Sequence, residues 1–423
     1  MTAPDNPHRE GSLEAPTRHA LDWKDPAFYD EGSLFEELER VFDLCHGCRR
    51  CVSLCDAFPT LFDLVDESPT LEMDGVEKGD YWKVVDECFL CDLCYQTKCP
   101  YIPPHEWNID FPHLMLRAKA TQFKKGERKL SHRLISNTRI TGTLGSIPVI
   151  SQALNAANRS PTARKLVAKT LDIHPEANLP TFHSKTLRRR MKDHAPCQAE
   201  IRPAGPTRGR VALFATCYCN VNEPQIAEDL VRVFEHNGIP VSLAAKEVCC
   251  GMPKLEQGDL KTVDKYRRMN IPGLVRLVDE GWDIVAAVPS CALMFKQELP
   301  LMFPDDEDVA TVKAHIFDPF EYLYHRHKEG LLDTAFRHSI GKVAWHVPCH
   351  QRVQNIGPKT RQVLELVPDS EILPIERCSG HDGTYGVRRG TYEKSRKIAK
   401  PVVGRVQRAE ADYLVSDCPM AAT

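Results

Sequence analysis

Two runs of cysteine near the start of the chain have a spacing that could do chemistry. The first reads Cys45-x2-Cys48-x2-Cys51-x3-Cys55 and the second Cys88-x2-Cys91-x2-Cys94-x4-Cys99, followed by Pro100. Three thiols at i, i+3 and i+6 on one short loop can wrap three corners of an inorganic cubane, while the trailing fourth is aimed elsewhere. The chemistry implied is iron–sulfide ligation and the relay of single electrons. Structural zinc prefers two separated cysteine pairs that close one tetrahedron. Disulfides need an oxidising compartment, to which nothing in the chain directs it.

Where two such runs occur together, as in two-cluster ferredoxins, the last cysteine of each run completes the other cluster. That rule assigns one [4Fe–4S] cluster to Cys45, Cys48, Cys51 and Cys99, and the other to Cys88, Cys91, Cys94 and Cys55. Two departures stand out: Asp56 follows Cys55 where proline is usual, and the second run has one extra residue before Cys99. Neither removes a ligand.

The elements that must position these thiols belong to a chain of 423 residues, long enough for two or three domains. Seventeen cysteines are an odd number, which argues against a closed disulfide framework and points to a reducing compartment. The longest nearly apolar run, 284–295, is too short to span a bilayer and is interrupted by Pro289, so no transmembrane helix is expected. The N-terminus has no secretory signature. The expected location is cytoplasmic, or peripheral on the inner face of the cytoplasmic membrane. The net charge of -3 hides a segregation. Residues 1–87 carry 21 acidic against 8 basic side chains, and residues 117–210 carry 20 basic against 5 acidic. A basic block of that kind suggests an anionic partner or surface. Nucleic acid is a poor candidate, because no base-stacking aromatics are interleaved with the charges.

Residues 1–33 read as a flexible tail and 34–118 as a ferredoxin-type domain, largely α-helical. Leu34 to Leu44 forms a short acidic helix leading into the first run, and 56–87 is a polar and aromatic insertion. Residues 119–208 read as a basic helical connector. Its stripe from Thr143 to Asn158 is interrupted at Pro148, Arg164 to Leu171 continues in helical style, and Lys185, Arg188, Arg189, Arg190 and Lys192 form a basic cluster. The connector is either a solvated arm packed on its own protein or an interfacial segment held on anionic lipid.

From residue 209 the chain repeats itself. Gly209-Arg210-Val211-Ala212 leads to Cys217, and Gly341-Lys342-Val343-Ala344 leads to Cys349. Cys249-Cys250-Gly251 matches Cys378-Ser379-Gly380, and Cys291 matches Cys418. The offsets of 132, 129 and 127 imply two duplicated units, 209–340 and a degenerate 341–423. Short β-type runs at Val211–Ala215, Val241–Ala244 and Ile284–Val288 alternate with helical patterns at Gln225–Asn237 and Thr360–Leu366. The pattern predicts parallel α/β units, whose ligands gather at the C-terminal strand ends. Cys217 and Cys349 sit at such ends.

Within the first unit Cys217, Cys249, Cys250 and Cys291 should converge, with Cys219 nearby as a spare. In the second, Cys349, Cys378 and Cys418 remain, Ser379 replaces the fourth thiol, and His350 and His381 could add nitrogen ligands. The centre so formed would take a further iron–sulfur cluster or zinc, or else keep buried thiols only. Cys197 stands alone in a basic linker.

Two ferredoxin-type runs, a basic connector and paired Cys…Cys-Cys-Gly…Cys units together resemble the cysteine-rich CCG iron–sulfur proteins. That family includes a subunit of anaerobic glycerol-3-phosphate dehydrogenase, one of heterodisulfide reductase, and iron–sulfur components of glycolate and lactate oxidation systems. The resemblance runs from about residue 38 to the end. It is specific at Cys217, Glu247-Val248-Cys249-Cys250-Gly251, Pro289-Ser290-Cys291, His346-Val347-Pro348-Cys349-His350 and Gly383-Thr384-Tyr385-Gly386. It implies a flavin-free subunit that carries electrons, often beside a membrane, and delivers them to quinone. The family usually ends each unit with Cys-x-x-Cys, but here those positions read Cys291-Ala-Leu-Met294 and Cys418-Pro-Met-Ala421. Both five-thiol sites are therefore incomplete.

The expected function is an iron–sulfur electron-transfer subunit rather than a self-sufficient enzyme, with no catalytic residue assigned. Its partner would be a flavin dehydrogenase subunit or a ferredoxin-like donor, and its acceptor a membrane quinone. No G-x-G-x-x-G follows a strand, so the sequence gives no support for a flavin or nicotinamide bound here. The alternatives are a heterodisulfide reductase-like catalytic subunit and a redox sensor or partner in oxidant defence.

Overall fold

The computed structural model describes residues 16–244, 247–381 and 383–421. The chain forms two compact units, Met1–Lys125 and Gly126–Thr423. Among the described residues no helix is long and apolar enough to cross a membrane.

The first unit is helical. Its first long helix, Glu31–Cys48, begins where the Asp30 carboxylate accepts the Ser33 N–H at 2.8 Å. Leu34, Leu38, Val41 and Phe42 lie on one stripe of that helix and are buried. They pack with Ala57–Asp66, Tyr81–Glu87 and Phe111–Lys125, the last two being helices that carry Tyr81 and Phe111 into the core. Phe42 meets the edge of Tyr81 with ring centroids 5.3 Å apart, and Phe58 meets Phe111 at 4.7 Å. Segment 56–87, read from the sequence as a polar and aromatic insertion, thus supplies about a third of this unit's core. Its helices bury Phe58, Leu61, Phe62, Val65, Val84 and Val85.

Two further expectations change. The first two thiols of the first run lie on the last turn of Glu31–Cys48 rather than on a loop, and the helix is closed only at Arg49, in left-handed conformation at φ 52. The tail's residues 1–15 lie outside the described residues, but Arg18 to Trp23 is firmly docked. The Arg18 guanidinium pairs with Asp92 and Asp110, and Leu21 and Trp23 are buried.

The second unit holds two parallel sheets. The first comprises β1 (Val211–Phe214), β2 (Val241–Leu243), β3 (Asp283–Ala286) and β4 (Ile316–Phe317), in the order β2-β1-β3-β4. The second comprises β5 (Lys342–His346), β6 (Glu371–Ile375) and β7 (Tyr413–Ser416), in the order β6-β5-β7. β1, an inner strand of its sheet, leads to Cys217, and β5, the middle strand of the other, leads to Cys349. In register, Val211 faces Val241 and Asp283, and Val343 faces Ile372 and Tyr413. The duplication also reaches the strand starts. Asp283 accepts the Arg208 N–H at 2.6 Å, and Asp412 accepts the Lys342 N–H at 2.8 Å.

The basic segment is part of this second unit only from Gly126 on, because residues 119–125 end the Phe111–Lys125 helix of the first. Pro148 starts the Pro148–Arg159 helix after a separate Thr138–Gly145 helix, since proline at the first helical position loses no hydrogen bond. Ser160 caps the next helix, Pro161–Leu171. The arginines of the basic cluster are engaged internally. Arg188 is 3.0 Å from Glu247, Arg190 is 2.9 Å from Glu228, and Arg189 donates to the Ser146 carbonyl at 2.6 Å.

One buried lock joins the chain before β1 to the start of β3 and the Pro319–Lys328 helix. The Tyr322 hydroxyl donates to Asp283 at 3.1 Å and accepts the Gly209 N–H at 3.1 Å. Tyr322→Phe leaves both groups buried without that partner and should destabilise the second unit by about 1–3 kcal/mol. An unchanged denaturant midpoint in this variant would show the lock to be unimportant.

Candidate metal centres

Helix geometry places Cys45 and Cys48 one turn apart on the same face, and the left-handed turn at Arg49 brings Cys51 round to join them. Cys99, from the other run, completes the group. These four line one pocket whose apolar walls include Leu44, Phe58, Pro100 and Ile109. The second run is wound tightly, with Leu90 and Asp92 both left-handed, at φ 54 and 60. Cys94 there faces Cys91, Cys88 and Cys55, and also Cys51 of the first group. The structure therefore brings together two sets of four, each drawn from both runs, which meet at Cys51 and Cys94. Arg18, held between Asp92 and Asp110, braces the second run from outside.

Four of these thiols are held in the protonated form. Burial, and then the neighbouring Cys99, Cys51 and Cys48, push Cys45 well above the ordinary thiol range. Burial raises Cys51 to about 12 and Cys99 to about 11. Cys94 is also driven well up, by burial and then by Cys91. A set of sulfurs like this becomes anionic only with a cation among them, which is the condition that a metal supplies. No disulfide links any of the seventeen cysteines. Among the described residues no three His, Cys, Asp or Glu side chains form a group that could hold a single metal ion.

In the second unit a chain of thiols runs from one loop to the next. Cys217 opens a short helix after β1, where Thr216 caps by accepting the Cys219 N–H at 3.1 Å. Cys217 hydrogen-bonds Cys249, which hydrogen-bonds Cys250, which in turn hydrogen-bonds Cys291 at the start of Pro289–Leu293. Cys249 sits in the middle, and the hydrogen bonds from Cys217 and then Cys250 favour its thiolate and pull it well below the usual thiol range. The same bonds, with burial, push Cys217 and Cys250 well above it. Gly251 follows at φ +111, a conformation that side chains resist.

Some of the other residues that hold this site escape sequence reasoning. Asn270, on the Leu260–Asp279 helix, accepts the Val248 N–H at 2.8 Å and donates to the Cys249 carbonyl at 3.1 Å. Glu247 accepts the Ala215 N–H at 2.8 Å and pairs with Arg188; burial pushes its carboxyl up to about 7 despite that arginine. Thr138, from the basic segment, reaches Cys217 and Cys249. The motifs mark neither Asn270 nor Thr138, because both act from outside them, whereas Glu247 opens the Glu247-Val248-Cys249-Cys250-Gly251 run.

The two repeats also share a border. Cys291 faces Cys219 and Cys418, so a thiol of the second repeat lies beside the set of the first. Ser290 and His350 Nδ1 are 2.7 Å apart, and Gln354 donates to the Pro289 carbonyl at 3.2 Å. Cys349 opens the short helix that follows β5, and the Cys378 sulfur accepts the Gly380 N–H at 3.4 Å. Asp417, beside Cys418, accepts from Trp345 and Thr360, each at 2.7 Å.

This duplicated arrangement of strand-end thiols belongs to a recognised class. The cysteine-rich CCG domain matches the chain twice, at residues 211–296 and 343–420, so the protein carries two CCG domains. The chain is similar to a subunit of the anaerobic glycerol-3-phosphate dehydrogenase of Escherichia coli, with 26% identity over 313 residues, covering 74% of this chain and 76% of that one. It is also similar to an iron–sulfur protein of Methanocaldococcus jannaschii, 24% identical over 393 residues, 89% of this chain and 65% of that one. A third relative is a subunit of the fumarate reductase (CoM/CoB) of Methanothermobacter marburgensis, 26% identical over 215 residues, 50% of this chain and 40% of that one. The chain is thus similar to an iron–sulfur protein and to subunits of a dehydrogenase and a reductase.

The raised thiols give the metal-free protein a pH signature. Cys51 and Cys99 keep their protons in the folded state up to about 12 and about 11, while unfolded thiols ionise near 9. Their contribution to stability is complete below pH 9 and is lost as pH climbs through that window. The metal-free first unit should therefore melt at lower temperature at pH 10 than at pH 8. Equal melting at both would contradict the burial of these thiols.

Proposed function

We propose that the chain is the iron–sulfur electron-transfer subunit of an oxidoreductase, passing electrons between a flavin dehydrogenase or other redox partner and an acceptor such as membrane quinone. Cys45, Cys48, Cys51 and Cys99 would hold one [4Fe–4S] cluster, and Cys88, Cys91, Cys94 and Cys55 the other, in a ferredoxin-type domain covering 34–118. Cys217, Cys249, Cys250 and Cys291 would hold a further iron–sulfur centre, with Cys349, Cys378 and Cys418 as the partial counterpart set of the second CCG unit. When bound, such clusters accept and release single electrons.

The observation that carries this reading is the assembly of two four-thiol sets, each drawn from both runs. The protein's own part is to exclude water and to fix the sulfurs. Phe58 and Ile109 wall the first pocket, Arg18 braces the second run, and Asn270 holds the Cys-Cys-Gly backbone. The acid-rich stretch 1–87 would steer a basic partner, an attraction that weakens with salt. The relatives named as subunits of a dehydrogenase and a reductase support a redox partner and an association with other chains. A location peripheral to the membrane is part of the proposal.

Anaerobically prepared protein should contain about eight irons from the two front sets, and more once the CCG centre is filled. Its clusters should give EPR signals on stepwise reduction and be reoxidised by a quinone analogue. A zinc-loaded, iron-poor preparation would overturn the proposal. Crossed ligation has its own test. Cys55→Ala should cost the cluster of Cys88, Cys91 and Cys94, roughly half of the front-end iron, and leave the signal of the other. Loss of the Cys45, Cys48 and Cys51 cluster instead would overturn the crossing.

A further inference from the structure

We infer that Thr138, which lies outside both CCG domains, donates a hydrogen bond from its hydroxyl to a cysteine sulfur of the first CCG centre and thereby raises that centre's affinity for electrons. The inference rests on the reading that Cys217, Cys249, Cys250 and Cys291 hold an iron–sulfur cluster.

Three observations converge on this residue. First, its position is fixed: the Asn137 side chain caps the Thr138–Gly145 helix by accepting the Ile140 N–H at 3.3 Å, which makes Thr138 the first helical residue. Second, its Oγ1 is buried with no hydrogen-bond partner, on a helix that packs against the short helix opened by Cys217, and its hydroxyl favours the thiolates of Cys217 and Cys249. A buried hydroxyl left unsatisfied costs about 1–3 kcal/mol, so a retained one needs an acceptor. A neutral thiol is a weak acceptor and a metal-bound thiolate is a strong one.

Third, the segment is clamped to the turn that carries the sulfurs. Lys254, three residues after Gly251, places its ammonium 3.3 Å from Ser136 Oγ and 3.4 Å from the Arg133 carbonyl. On the other side, a β-carbon on Gly142 would sit in ordinary contact with Val221, at 3.6 Å, and one on Gly145 would collide with Phe182, so the helix approaches closely at Gly145. The hydroxyl is thus held by the arm on one side and by the Cys-Cys-Gly turn on the other. Hydrogen bonds to cluster sulfurs stabilise the reduced, more negative state and so raise the potential.

The test uses the full chain, reconstituted anaerobically with iron and sulfide. In Thr138→Val the signal beyond the two front-end clusters should titrate at a more negative potential, with iron content and the front-end signals unchanged. An exchangeable-proton coupling seen in that signal by ENDOR should vanish with it. Thr138→Ser should restore both, a recovery that a purely structural role of the threonine methyl would not give. Thr138→Ala serves as the second deletion if valine disturbs iron loading. Unchanged potential and coupling in the deletion variant overturn the inference while leaving the proposed function intact. Wild-type protein with no signal beyond the front-end pair instead removes the cluster reading, and the inference falls with it.

Discussion

The structure depends on one constraint: sulfur atoms set close together and away from water cannot carry charge by themselves. In the first unit eight thiols are gathered by short helices and left-handed turns into two sets, and burial holds Cys45, Cys51, Cys94 and Cys99 in the protonated form. A fold that needed only packing would fill that space with leucine or phenylalanine, which bury apolar area with no such penalty. The aromatic core of Phe42, Phe58, Tyr81 and Phe111 is what makes the arrangement sustainable. It fixes the helices independently of the sulfurs, so the pocket persists for its occupant.

The second unit meets the same constraint differently. Its thiols stand at the C-terminal ends of parallel strands, where the chain must turn and side chains converge. The contacts along the row favour the thiolate of Cys249 over those of its neighbours Cys217 and Cys250. Duplication doubles this plan but does not copy it faithfully. β3 is covered by β4 and its residues are fully buried, whereas Tyr413 and Leu414 of β7 are exposed. Thiols of the two repeats meet where Cys291 faces Cys418, so the halves are joined at their chemistry as well as at their surfaces.

The legible part of this design is the part written in cysteine spacing and in β-type runs. The triplet within each front-end run follows from the i, i+3, i+6 pattern, the crossed fourth thiol from the two-cluster ferredoxin rule, and the repeat offsets locate the strand-end thiols and the parallel strands. Strand ends differ from the pattern by only one or two residues, because alternation marks existence better than boundary. Segment 56–87 is misleading in sequence. Its Phe58, Leu61, Phe62 and Val65 form a helical stripe, but surrounding acids dilute the composition. A subtler repeat marker is proline: Pro272 and Pro401 lie inside the Leu260–Asp279 and Tyr392–Ala409 helices at the same offset as the Cys-Cys-Gly turns. Residues such as Asn270, Arg188 and Thr138 are invisible to pattern because they act by reaching across space to a backbone group, a carboxylate or a sulfur.

Met294 bears on what the first CCG centre can do. It stands where the family pattern has a further thiol, is completely buried, and begins a π-helical turn, Met294–Glu298. Its methyl lies 3.4 Å from where a β-carbon on Gly251 would be, so the thioether is packed against the Cys-Cys-Gly turn. A thioether is neutral and a weak acceptor, so it fills space without adding negative charge. A site with one thiolate fewer is less anionic and takes up an electron more readily. In the proposed cluster, that favours storing and passing electrons over cleaving a disulfide.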